Sequence, residues 1–178
     1  MKQLFLLFLA ISLTALGCKK DEDPALTSEN IQGTWNLTLM EQDGRTGLGI
    51  AGVYDYTTFD NALSNSTITI TFNADGTWTS AGAGTFTSTT QETGADPETE
   101  TIELTSGIGA GTYTVVDGKL TINGLEAGLE VDGRAFSTKS FSPAAKVELE
   151  NKIDEVEQGA IFGLDVSVEA TALMTLEQ

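Results

Sequence analysis

Alternation of apolar and polar residues with a period of two is the feature that most constrains the fold of this chain. In "NSTITITF" (65–72), Ile68, Ile70 and Phe72 point one way while the threonines between them point the other. In "DVSVEATALMTLE" (165–177), every second residue from Val166 to Leu176 is apolar. Such alternation, rich in β-branched residues, is typical of strands with one buried face. The chain is therefore expected to be all-β.

Four tight-turn signals separate the strand-like runs. Each is an Asp or Asn followed by Gly, a pair that tolerates the positive φ required by two-residue hairpin turns. They are Asp75-Gly76, Asp117-Gly118, Asn123-Gly124 and Asp132-Gly133. Turns at such short intervals predict an antiparallel meander, since parallel strands need long crossovers. Closure of the meander into an up-and-down barrel of about eight strands would remove the exposed edge strands.

One segment predicts a helix instead, just before the last strand. In "SPAAKVELENKIDEVEQG" (142–159), Ser142 suits the N-cap, Pro143 suits the first helical position and Gly159 suits the stop. Its apolar residues have helical spacing, and two opposite-charge pairs, Lys146–Glu150 and Glu148–Lys152, lie four residues apart. A helix over 143–158 is expected, either as a plug that completes the core or as a lid over the barrel.

Composition excludes several classes of function. The 178 residues include no histidine and one cysteine, which removes Ser-His-Asp triads, Cys-His pairs and the usual zinc sites. A net charge of −17 repels nucleic acids. The acids fall mostly in turns or on polar strand faces, so we expect no enzyme, cofactor or metal. A two-carboxylate glycosidase and a loop-bound calcium ion are weaker alternatives.

The chain begins with an apolar run that ends at its only cysteine. Lys2 precedes "LFLLFLAISLTAL" (4–16), which is too short to span a bilayer but suits a signal peptide. The following "ALGC" resembles the lipobox of bacterial lipoproteins. That resemblance implies cleavage after residue 17 and acylation of Cys18, which would anchor the chain in a membrane. The alternative is an ordinary signal peptide with an incidental cysteine.

The residues after this cysteine carry a second resemblance. "CKKDED" (18–23) is similar to the export signal of surface-exposed lipoproteins of the Bacteroidetes type, with Lys20, Asp21 and Glu22 as the matching residues. This implies an outer-membrane lipoprotein that faces the cell exterior. A solvated tether on an inward-facing lipoprotein is the alternative. The expected organisation is a signal peptide (1–17), a lipidated cysteine with its flexible tether (18–30) and a barrel domain (31–178).

The barrel domain resembles a known family. "IQGTWNLTL" (31–39), "ITFNADGTWTSAGAGTFT" (70–87) and "GAGTYTVVDGKLTI" (109–122) are similar to segments of the lipocalin-like lipoproteins of the same bacterial group. The resemblance implies an eight-stranded barrel in which Gly33 and Trp35 form a structural closing motif. It also implies a small apolar or amphipathic ligand, with Trp78, Phe86 and Tyr113 as candidate cavity residues. Alternatively, these three aromatic side chains belong to the core.

A second function hypothesis requires no cavity. In it, the barrel is filled, and its outer loops bind an envelope protein or a glycan. The aromatic residues of "GVYDYTTF" (52–59) alternate poorly with their neighbours, so Tyr54, Tyr56 and Phe59 are candidates for an exposed patch. The expected partners are therefore the outer membrane, through Cys18, and either a small ligand or an envelope partner, but no nucleic acid.

Overall fold

The computed structural model describes residues 24–125, 133–161 and 163–178, and all regular structure within these ranges is β-strand. The predicted all-β class is confirmed. The signal peptide, Cys18 and the export-signal residues Lys20, Asp21 and Glu22 lie outside the described residues. The strands are β1 (Gly33–Ile50), β2 (Val53–Ser64), β3 (Thr69–Phe72), β4 (Thr77–Ala81), β5 (Gly84–Glu92), β6 (Glu98–Leu104), β7 (Gly109–Val116), β8 (Lys119–Leu125), β9 (Ala135–Ser142), β10 (Lys146–Ile161) and β11 (Leu164–Glu177).

Eight of these strands form a closed antiparallel barrel. Around the ring they are β1, β3, β4, β7, β8, β9, β10 and β11, and β11 pairs back onto β1. Ring neighbours follow one another along the chain, except that β2 and the β5–β6 hairpin leave the ring. The predicted eight-stranded antiparallel barrel is confirmed.

The strand β1 pairs with different neighbours along its length, within one continuous sheet of eleven strands. Its first four residues pair with β3, whereas residues 41–50 pair with β2. β2 then pairs with β5, and β5 pairs with β6. On the other side of β1, the upper part of β11 pairs with β1, and the upper part of β10 pairs with β11. These six strands continue beyond the barrel as the extension sheet, which comprises residues 41–64, 84–104, 150–161 and 163–173.

The barrel interior is filled by its own side chains. The largest fully buried residues are Trp35, Trp78, Phe72, Phe136, Ile31, Leu37, Ile68, Ile70, Ile108, Leu120, Ile122 and Leu149. At the upper end of the barrel, a gap beside Gln42, Phe86 and Phe136 measures about 10 Å³. That is room for one water molecule, whereas small-molecule pockets typically measure upward of about 300 Å³.

The predicted helix over 143–158 is wrong. Residues 143–145 form a turn, and β10 follows with Val147, Leu149, Asn151 and Ile153 buried in alternation. β10 pairs with β9 and β11, so its inward residues complete the core. The segment carries a period of two as well as a helical spacing, and the sheet partners decide between them. The lysines accordingly bind glutamates two residues away, Lys146 to Glu148 at 2.7 Å and Lys152 to Glu150 at 3.4 Å.

The turn predictions have mixed outcomes. Asp117-Gly118 joins β7 to β8 with φ of 50° and 71°, and Asp75-Gly76 joins β3 to β4, as expected. Asn123-Gly124 is not a turn, because both residues lie inside β8. There the register of β7 against β8 shifts, and a Cβ on Gly124 would collide with the carbonyl oxygen of Ala110. Asp132 lies outside the described residues.

Candidate functional site

The three candidate cavity residues lie in the core. Trp78, Phe86 and Tyr113 are all buried among other apolar side chains. The indole N–H of Trp78 donates to the carbonyl oxygen of Asn123 at 2.9 Å. The Tyr113 hydroxyl donates to the carbonyl oxygen of Asn73 at 2.8 Å, and burial raises the pKa of that hydroxyl. Of the three, only Phe86 lines the small gap at the barrel's upper end.

Gly33 and Trp35 lie at the lower end of the barrel, where β1 begins. The indole N–H of Trp35, which is fully buried, donates to the carbonyl oxygen of Ile31 at 2.7 Å. Gly33 has φ of +116°, and a Cβ there would lie 3.2 Å from the side-chain nitrogen of Gln178. Trp35 therefore binds the segment before β1, through Ile31, and Gly33 lies against the C-terminal residue Gln178 at the floor of the barrel.

The three aromatic residues of the predicted patch do not form one surface. All are half-buried on β2, but strand alternation places Tyr54 and Tyr56 on one face and Phe59 on the other. The two tyrosine rings are 5.8 Å apart between centroids. They lie over glycines of β1, since a Cβ on Gly47 would come within 2.8 Å of the Tyr56 ring.

The face that carries Tyr56 also carries a polar groove of about 700 Å³ across the extension sheet. Two rows of directly paired residues line it, each with one residue from β10, β11, β1, β2 and β5. The upper row is Asp154, Glu169, Arg45, Thr58 and Gln91. The lower row is Lys152, Thr171, Asp43, Asp60 and Thr89. We call this surface the polar groove.

Arg45 is held in a fixed position at the centre of the groove. Its Nη2 lies 2.8 Å from both carboxylate oxygens of Glu169, and its guanidinium carbon lies 4.3 Å from the centroid of the Tyr56 ring. The hydrogen bond to Glu169 raises the pKa of Arg45. Because both partners are more than two-fifths exposed, the pair adds little stability. Its effect is to orient a cationic donor group.

Asp43 and Asp60 place two negative charges side by side in the groove. They are direct partners in the β1–β2 register, so two carboxylates face each other on one side of the sheet. Like charges in this position are destabilising. Within the described ranges, no ion pair or hydrogen bond involves either side chain. The carboxylate oxygens of Asp43 and Asp60 are therefore available as hydrogen-bond acceptors. A pairing of like charges that destabilises the sheet is typical of functional sites.

No sequence pattern predicted the polar groove. Its residues are ordinary members of strand patterns, and they meet only because five strands pair in a particular register. The available signal was the mixed composition of residues 41–64, where charged residues occupy a segment with strand character. A second signal was Ala51-Gly52, the two-residue turn with φ of 54° and 85° that joins β1 to β2. The pairing of β1 with β11 and of β2 with β5, which completes the groove, is a tertiary property.

The chain was compared with family models, curated proteins and solved structures, and none of them matches it. Across the described ranges, no group of three or more His, Cys, Asp or Glu residues is placed to hold a metal ion. Those ranges also contain no helix long and apolar enough to cross a bilayer.

Proposed function

We propose that this protein is a lipid-anchored, non-enzymatic binding module whose polar groove binds a neutral glycan. The observation that carries the proposal is the contrast between a filled barrel and an open polar groove of about 700 Å³ on the sheet above it. In this proposal the barrel is a rigid scaffold, and the extension sheet carries the binding surface.

The chemistry of the groove favours a sugar. Sugar hydroxyls both donate and accept hydrogen bonds, and the groove offers carboxylate acceptors on Asp43 and Asp60 and guanidinium donors on Arg45. Tyr56 lies beside the groove, and its contact with the guanidinium of Arg45 helps to hold that donor group in place. The lining has four carboxylates and two cations, so it repels polyanions. The favoured ligand is therefore a neutral oligosaccharide.

The carrier hypothesis, which the resemblance to lipocalin-like lipoproteins implies, is less well supported. A ligand inside the barrel would have to displace buried aromatic side chains such as Trp78 and Tyr113. Removing one large aromatic residue from a core typically costs about 3–5 kcal/mol, which exceeds what a small apolar ligand readily returns. The filled-barrel hypothesis requires no such rearrangement.

Anchoring through Cys18 and exposure at the outer membrane remain part of the proposal. The first described residues, Pro24 to Leu26, lie beside the β7–β8 turn at the lower end of the barrel. If a lipid at Cys18 anchors the chain, the polar groove would therefore lie on the side of the protein that faces away from the anchoring membrane. Protease treatment of intact cells tests the exposure, because degradation is expected before lysis. Survival until lysis would exclude it.

Binding to a panel of immobilised neutral oligosaccharides tests the glycan proposal. The double variant Asp43→Asn, Asp60→Asn is expected to bind at least about tenfold more weakly, because charged hydrogen bonds are lost. It should also melt at a slightly higher temperature, since the like-charge contact is relieved. Asp117→Asn, in the β7–β8 turn, is the matched control and should change neither property. Equal affinity of the double variant and the native chain would exclude the groove.

A further inference from the structure

Two neighbouring hairpin ends of the extension sheet contain no ionisable side chain other than that of Tyr54. They are "TGLGIAGVY" (46–54), between β1 and β2, and "QGAIFGL" (158–164), between β10 and β11. They adjoin because β1 pairs with β11, with Leu48 opposite Val166. We call these two segments the distal tip. Phe162, within the second segment, lies outside the described residues.

The distal tip concentrates exposed apolar side chains. The described part of the chain has seven large apolar residues that are exposed, and four of them are in the tip. These are Val53 at 78%, Ile50 at 64%, Ile161 at 44% and Leu48 at 43% relative exposure. Register places Ile50 opposite Val53 and Ile161 opposite Leu164, so the apolar residues face the same way. Scattered exposed residues need no explanation, but a cluster at one end of a molecule marks a contact surface.

The shape of the tip favours a lipid surface over a protein partner. A stable protein interface takes about 20–30 residues on each side. Two hairpin ends of nine and seven residues offer fewer than that. A bilayer sets no such requirement, because apolar side chains need only enter the boundary between headgroups and acyl chains, about 5–10 Å deep.

The charges around the tip indicate which lipids it suits. Four ionisable residues border the uncharged segments directly: the acids Asp55, Glu157 and Asp165, and Arg45, whose charge is paired with Glu169. Asp55 is the direct partner of Leu48, and Asp165 is the direct partner of Gly49. These carboxylates and Leu48 would therefore lie at headgroup level, while Ile50, Val53 and Ile161 extend further. Acidic residues there repel anionic lipids. Tyr54, beside them, is of the residue type that prefers the membrane–water boundary. These features match a zwitterionic bilayer.

We propose that the distal tip inserts into the surface of a zwitterionic lipid bilayer. The tip lies at the opposite end of the molecule from Pro24, because β1 runs from the barrel floor up to Ile50. The bilayer that receives the tip is then a different surface from the one that would hold Cys18. This inference does not depend on what the polar groove binds.

Flotation with phosphatidylcholine vesicles tests the proposal. The chain from residue 18 onward carries Cys18→Ala, since acyl groups would bind vesicles by themselves, and it retains all eleven strands. It is expected to float with the vesicles. The double variant Ile50→Asp, Val53→Asp should partition at least about tenfold more weakly, because two aliphatic side chains no longer leave water. Val116→Asp, which replaces a residue 65% exposed at the other end of the barrel, is the control.

Lipid composition and a fluorescent reporter supply independent readouts. Adding phosphatidylglycerol at low salt should reduce binding, and salt should restore it. In the variant Val53→Trp, the fluorescence emission of the introduced tryptophan should shift to shorter wavelength when phosphatidylcholine vesicles are added. In Val116→Trp it should not shift. Trp35 and Trp78 are buried and give a constant background in both variants. The proposal is overturned if the chain with the native tip does not float with phosphatidylcholine vesicles. It is also overturned if substitutions at residues 53 and 116 have equal effects on flotation or on tryptophan emission.

Discussion

Gly44 determines how closely β1 approaches β11 at the barrel's upper end. A Cβ there would collide with the carbonyl oxygen of Glu169 and lie 2.8 Å from both Cα and Cβ of Ala170. Backbone atoms cannot move aside as a flexible side chain can. Gly44→Ala is therefore expected to lower the free energy of unfolding by about 1–3 kcal/mol.

Urea denaturation measures the effect of Gly44→Ala. Thr46→Ala on the same strand is the control, because it removes atoms at a half-exposed position and should change stability little. Equal stability of Gly44→Ala and the native chain would show that the two strands can separate without cost.

Asp75 stabilises the β3–β4 turn in a pH-dependent way. Its carboxylate accepts hydrogen bonds from the Thr77 hydroxyl at 2.6 Å and the Thr77 backbone N–H at 3.0 Å, and these bonds lower its pKa. A carboxyl with a lowered folded pKa stabilises the fold above its unfolded pKa of about 3.9 and loses that contribution as the pH falls through the folded value.

Asp75→Asn is accordingly expected to lower the melting temperature at pH 7, since the amide makes weaker hydrogen bonds than the carboxylate. The difference from the native chain should narrow as the pH falls below about 4. Melting curves over this range measure it. A difference that stays constant into acid would contradict the role of the charged carboxylate.

At the scale of elements, β10 has two strand neighbours along its lower part and one along its upper part. Its lower residues, 146–150, pair with β9 on one side and β11 on the other, whereas pairing beyond them is with β11 alone. The exposed edge carries Asp154, Glu155 and Glu157, charges that discourage pairing with other chains. Glu155 also binds Arg134 at 2.9 Å, which lowers the pKa of that carboxyl.

Hydrogen exchange is expected to divide β10 at about Glu150. Peptides covering residues 146–150 should be protected as strongly as the core, and those covering 151–161 should exchange faster because one edge is open. Mass spectrometry of quenched, digested samples resolves the two. Equal protection along the strand would indicate that the edge is covered in solution.

The same strand shows where reasoning from sequence stops. The spacing of Leu149, Ile153 and Val156 fits a helix, and the alternation of Val147, Leu149 and Ile153 fits a strand. Capping residues favoured the helix, but caps stabilise only helix ends. The decision lies in the neighbours, because β9 and β11 need a strand between them to close the barrel. The last strand, β11, had no competing pattern, and its prediction is confirmed.

At the scale of the whole molecule, the barrel was predictable and the extension sheet was not. Barrel strands reveal themselves by local alternation and turns, as in the Asp117-Gly118 hairpin. The extension depends on strand length and on the pairing of β1 with β11 and of β2 with β5, which no local pattern encodes. The polar groove and the distal tip both lie on this extension. The two proposed contact surfaces therefore arise from the part of the fold that only tertiary pairing defines.

The central claim is that the barrel is a filled scaffold and that binding takes place on the extension sheet. Native mass spectrometry tests it most directly. The chain from residue 18 carries Cys18→Ala and, to remove lipid contact at the distal tip, Ile50→Asp and Val53→Asp; it is mixed with palmitic acid and with neutral oligosaccharides at equal concentration. The expected result is a one-to-one complex with an oligosaccharide and none with the fatty acid. A one-to-one complex with palmitic acid, lost on denaturation, would contradict the filled barrel and restore the carrier hypothesis.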